Sequence, residues 1–139
     1  MKKFISLSNT ALIYLMVLCQ SQALAEATNV VCTIEYTHDF EQPARSGATT
    51  GEFSLAISDQ GVQSITNLAC QNLSVLAFND SEIEFKCLTN LNLVFQTATM
   101  TTISRFSGNF EQLYGAGPSD HLKFGLMHTG RCVVVTKRF

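Results

Sequence analysis

Glu82-Ile83-Glu84-Phe85-Lys86-Cys87 sets a charged side chain against an apolar one at every step. Side chains of a strand point alternately to its two faces, so Ile83, Phe85 and Cys87 share one face and Glu82, Glu84 and Lys86 the other. The stretch is a half-buried β-strand, and the rest of the chain is read outward from it.

Upstream, Asn79-Asp80 is a turn signal that ends an apolar run, Leu73 to Phe78. Earlier still, Phe53, Leu55 and Ile57 alternate with Glu52, Ser54, Ala56 and Ser58, and Asp59-Gln60-Gly61 turns into a strand within Val62 to Cys70. Val30, Cys32, Ile34 and Tyr36 form a first strand rich in β-branched residues. Downstream the pattern predicts strands at Leu91 to Phe95, Thr97 to Phe106 and Phe110 to Tyr114, the last two divided by Ser107-Gly108-Asn109. Leu122 to His128 and Arg131 to Thr136 follow, with Thr129-Gly130 read as the turn between them. Strand candidates recur about every ten residues, the spacing of an antiparallel sandwich or small barrel. The fold class is therefore all-β: one small antiparallel β-sandwich or β-barrel. Asp39 to Gly51 and Gly115 to Asp120 lack strand pattern and are the two segments where a binding surface is expected.

The amino terminus carries a basic start (Lys2, Lys3), an apolar run from Ala11 to Cys19, and Ala23-Leu24-Ala25. These are the three zones of a secretory signal, so residues 1–25 are read as cleaved and 26–139 as the exported domain, periplasmic or secreted. The apolar run is too short to span a bilayer of roughly 30 Å, and no later stretch is long enough for a helical span. The carboxyl-terminal Phe139 is a feature shared with outer-membrane barrels, but eight spanning strands would leave few residues for loops, and with no tryptophan and only Tyr36 and Tyr114 after processing aromatic girdles are hard to build. Loss of Lys2 and Lys3 leaves 7 basic residues of 9 against 11 acidic, a net charge of -4. The basic residues are scattered, so nothing follows a phosphate backbone, and nucleic acid is not an expected partner. The expected partner is an envelope or extracellular protein.

Cys19 leaves with the signal, and Cys32, Cys70, Cys87 and Cys132 remain. Four cysteines in a small exported domain read as two disulfides with three connectivities; close C-x-x-C pairs, which zinc sites use, are absent. Strand register selects among the three. If Ala77 to Asp80 is a four-residue hairpin loop, Leu76 faces Ser81 and, counting outward, Cys70 faces Cys87 within disulfide reach. A two-residue turn at Asn79-Asp80 leaves the two diagonal, so the argument depends on loop length. Cys32 then pairs with Cys132, joining the first and last strands as a closed sheet requires.

Chemistry-bearing groups do not assemble into a motif. His121 and His128 share a strand face only if a bulge intervenes, for which Gly125 is the natural place, and His38 is remote in sequence. No metal or other cofactor is expected. The G-x-S-x-G elbow is absent, and Glu82 and Glu84 occupy the solvated side of their strand. Gly115-Ala116-Gly117 lacks the third glycine and the helix of a dinucleotide site. In size, export and cysteine count the chain is similar to small periplasmic β proteins, lysozyme inhibitors among them, but no motif of that class aligns and no residue is carried over. Three functions are carried forward. The first is a non-catalytic binding or inhibitor module, not an enzyme. The others are a small barrel holding an apolar ligand and a hydrolase with an unrecognised site. An apolar cavity above about 300 Å³ favours the small barrel.

Overall fold

The computed structural model describes residues 26–135. The expected signal segment, residues 1–25, and the carboxyl-terminal residues Lys137 and Phe139 lie outside them. Eight strands form one antiparallel sheet: β1 (Thr28–Asp39), β2 (Gly47–Ser58), β3 (Gly61–Thr66), β4 (Asn72–Phe78), β5 (Glu82–Asn90), β6 (Phe95–Ser104), β7 (Asn109–Pro118) and β8 (Lys123–Val135). A single 3₁₀ turn, Pro43–Arg45, interrupts the β1–β2 connection. The spatial order is β3-β2-β1-β8-β7-β6-β5-β4. Consecutive strands other than β3 and β4 pair as hairpins, β1 pairs with β8, and β3 and β4 are the two sheet edges. The edges approach one another without a ladder: a side chain at Gly61 on β3 would touch Val75 and Phe78 on β4. The sheet is thus a nearly closed barrel. Its seam lies inside the chain, between β3 and β4, and not between the first and last strands.

The pleat explains inside and outside. Phe53, Leu55, Ile83, Phe85 and Phe110 point inward and are buried, and the Phe53 and Phe110 rings meet edge to face at 5.3 Å. Each such side chain contributes about 1.5–3 kcal/mol by leaving water. The opposite pleat carries Glu52, Glu82, Glu84, Lys86, Glu111 and Arg131, none of them buried. That is the reverse of a lipid-facing barrel, whose outer band is apolar. No helix among the described residues is long and apolar enough to cross a membrane.

Several expected boundaries are corrected by the strands themselves. Leu91 to Phe95 is the β5–β6 loop up to Val94, folded by Asn92, whose Oδ1 accepts from the Val94 and Phe95 amides at 3.0 and 2.8 Å. Thr129-Gly130 is not a turn but the middle of β8, a single strand where two were expected. A side chain at Gly130 would overlap the Thr33 carbonyl oxygen and approach the Phe110 ring at 2.9 Å, so glycine here serves close approach of two strands. Asp39 to Gly51 shrinks to a short loop at 40–46, because β1 runs through Asp39 and β2 begins at Gly47. Gly115 to Asp120 is mostly the end of β7.

Two disulfides join Cys32 to Cys132 and Cys70 to Cys87. Cys32 and Cys132 are directly opposed on β1 and β8, the ladder that closes the barrel. The register behind the second expected pairing is not the observed one. Cys87 faces Leu73, because Asn79-Asp80-Ser81 forms the turn and Leu76 is bulged out of β4. Cys70 instead reaches Cys87 from the β3–β4 loop, tying that loop across the seam edge, with Cα atoms 5.0 Å apart. Intramolecular disulfides persist most readily in oxidising compartments.

Candidate ligand-binding cavity

The barrel has two unlike ends. At one end lie the β2–β3, β4–β5 and β6–β7 turns and both ends of the described chain; at the other lie the β1–β2, β3–β4, β5–β6 and β7–β8 loops. At the turn end the inward rows run out of cover. Val134 faces in beside Val30, yet is 59% exposed.

A cavity of about 500 Å³ opens there, walled by Val30, Ile57, Phe78, Ile83, Ile103 and Val134, which come from six different strands. Its size lies inside the range of small-molecule sites, roughly 300–1,000 Å³. The rim carries Glu26, Asp59 and Arg105. The walls hold no histidine, and the one cysteine among them, Cys132, is disulfide-bonded. The arrangement offers an apolar wall beside a charged rim, with the Thr28, Ser58 and Ser104 hydroxyls also in the lining.

Local chemistry shapes that rim. Asn79 folds the β4–β5 turn: its Oδ1 accepts from the Ser81 amide and hydroxyl at 2.9 and 2.7 Å and from the Glu82 amide at 3.0 Å. The neighbouring β6–β7 turn is stitched to it, the Arg105 amide donating to the Ser81 carbonyl at 2.9 Å and Arg105 Nη1 to the Asn79 carbonyl at 2.8 Å. The guanidinium carbon stands 5.2 Å from the centre of the Phe78 ring. Gly108, with φ of 72°, closes the turn because a side chain there would strike the Cys132 carbonyl oxygen. Arg105 forms no ion pair with a carboxylate among the described residues; the one such pair, Lys123 with Glu41, is at the other end. Glu41 raises the Lys123 ammonium above its usual range by hydrogen bonding and by charge.

Toward the loop end the interior turns polar. Thr99, Thr101 and Gln112 are buried, and Gln112 Nε2 donates to Thr101 Oγ1 at 3.0 Å. His128 lies beside Gln112 in the β7–β8 ladder; its Nδ1 is buried without a protein partner, as is the Thr89 hydroxyl. Burial pushes the His128 imidazole below its ordinary pKa.

The three histidines are not brought together. His38 stacks near Tyr36 at 4.6 Å, His121 sits in the β7–β8 loop, and His128 is on β8. Gly125 is the bulged residue of β8, as its position suggested, but His121 precedes the strand and gains nothing from it. No group of three or more histidine, cysteine, aspartate or glutamate side chains placed to hold a metal ion is found among the described residues. The two segments expected to bind, Asp39 to Gly51 and Gly115 to Asp120, both lie toward the loop end, opposite the cavity. Sequence reasoning missed the cavity, whose walls are single residues spread over six strands. The only local sign was Arg105 directly after β6, entering a glycine-bearing turn.

No protein-family model, curated protein or solved structure significantly matches this chain.

Proposed function

We propose that the domain is an exported, non-catalytic binding module that shelters the apolar part of a ligand in the turn-end cavity. The observation that supports this reading is the cavity itself, about 500 Å³, with an apolar wall of five branched aliphatic side chains and Phe78. The barrel with two disulfides supplies the rigid frame that keeps such a mouth open without ligand. The test is titration of oxidised protein with a neutral fluorophore, N-phenyl-1-naphthylamine, whose emission rises on leaving water. Saturable binding is expected, and Val134→Trp, which fills the mouth from an already exposed position, removes it. Emission that stays at the buffer level, or that is unaltered by Val134→Trp, refutes the reading.

A second reading rests on the opposite end. The β5–β6 loop is ordered by Asn92 yet presents Leu91, Val94 and a fully exposed Leu93, with Phe40 exposed on the β1–β2 loop. Apolar side chains displayed on an ordered loop fit a protein partner. Leu93→Asp abolishing capture of an envelope protein, with naphthylamine binding retained, favours this reading over the first.

A further inference from the structure

We infer that the turn-end cavity takes a single-chain amphiphile with an anionic head, the chain running inward past Ile83 and Ile103 and the head held by Arg105. This rests on the reading of the cavity as a ligand site and adds the chemical class of the ligand. The chain follows from the volume. At roughly 30 Å³ for a water-sized group, 500 Å³ admits on the order of seventeen such groups, more than a twelve-carbon chain needs. Val30, Ile57, Phe78, Ile83, Ile103 and Val134 carry no polar side-chain atom, so a methylene chain packed along them strands none; the lining also includes the Thr28, Ser58 and Ser104 hydroxyls.

The head group follows from Arg105. Its guanidinium is held over the mouth by two contacts, the Asn79 carbonyl at 2.8 Å and the Phe78 ring, and meets no carboxylate among the described residues. A planar fork of donors with one arm tied and the rest turned to solvent is the geometry that receives a carboxylate or phosphate. Phe78 belongs both to the cavity wall and to the Arg105 contact, so one ring joins the apolar and cationic parts of the site. Asp59 and Glu26 also stand on the rim, but both are exposed and carry no hydrogen bond that aims them at the mouth. Arg105 is exposed too, and what sets it apart is that the Asn79 carbonyl and the Phe78 ring fix its guanidinium in place.

The experiment displaces N-phenyl-1-naphthylamine from the oxidised exported protein with three ligands of one chain length below their micelle concentrations: dodecanoate, dodecan-1-ol and dodecyltrimethylammonium. Dodecanoate is expected to bind about tenfold tighter than the alcohol, the lower end for a hydrogen bond to a charged group. That ratio is expected to fall as salt rises. Arg105→Gln brings the ratio to about one, and Arg105→Lys, which keeps charge but loses the fork, leaves it in between. An acid no tighter than the alcohol, or a ratio that survives Arg105→Gln, overturns the head-group assignment while leaving the cavity reading standing. Tightest binding of the ammonium overturns it too, and transfers control of the rim to Asp59 and Glu26. If the naphthylamine never binds, the cavity reading falls and this inference with it.

Discussion

Removing the Cys32–Cys132 disulfide should cost more stability than removing Cys70–Cys87, although each joins residues already close in the folded barrel. The reason lies in the unfolded chain. The first bond closes a sequence separation of 100 residues and the second one of 17. Loop-closure entropy then stabilises the fold by about 4.7 kcal/mol through the first and about 3.1 kcal/mol through the second, a difference of about 1.6 kcal/mol. Packing adds a similar cost to both, since Cys32, Cys87 and Cys132 are buried and Cys70 packs against the core. The perturbations are the double substitutions Cys32→Ala with Cys132→Ala, and Cys70→Ala with Cys87→Ala. Urea unfolding followed by far-ultraviolet circular dichroism gives both free energy and m-value. Loss of the long crosslink should lower stability further and raise m more, because the freed unfolded chain exposes more surface. The reverse order of stabilities, or equal losses with equal m-values, refutes the chain-entropy argument for this domain.

Three further outcomes are expected. Gly130→Ala forces a methyl group into the Thr33 carbonyl and the Phe110 ring, so it should separate β1 from β8 and cost more than about 3 kcal/mol, read as early hydrogen exchange in that ladder. Gln112→Ala strands the Thr101 hydroxyl inside the barrel and should cost about 1–3 kcal/mol beyond the lost side-chain volume. The pair Thr101→Val with Gln112→Leu should be nearly neutral, which a double-mutant cycle in urea decides. His128 is held below its ordinary pKa by burial, so the unfolded state binds its proton first. Stability should therefore be complete above about pH 6.5 and fall as pH drops from there toward the depressed folded value. His128→Gln should flatten the urea midpoint over that interval, and a midpoint that still falls equally in the variant assigns the loss to other groups.

Much of the barrel was legible without coordinates, and the reason is that pleating is local. Glu82 to Cys87 alternates because one face of β5 meets the core and the other meets water, a condition each residue satisfies by itself. The same holds for Phe53, Leu55 and Ile57 on β2. Cysteine number and the amino-terminal zones likewise need no partner strand to be read. The sequence by itself determined an all-β domain with four cysteines suited to an oxidising compartment.

Register and closure are different, because they depend on which distant residues meet. The bulge at Leu76 slips β4 against β5, so Cys87 faces Leu73, and no local pattern announces a bulge inside an apolar run. Gly130 looks like a turn in sequence because glycine is permissive everywhere; only the neighbouring Thr33 and Phe110 show that it is there for close packing. The cavity depends on tertiary structure most of all. Val30, Ile57, Phe78, Ile83, Ile103 and Val134 are unremarkable strand residues until the β1–β8 ladder curls the sheet and sets them around one mouth, with Arg105 carried to its rim on a turn. Strand alternation decides which face a side chain takes. Only closure of the sheet decides which of those inward side chains are left without cover, and so where a ligand can enter.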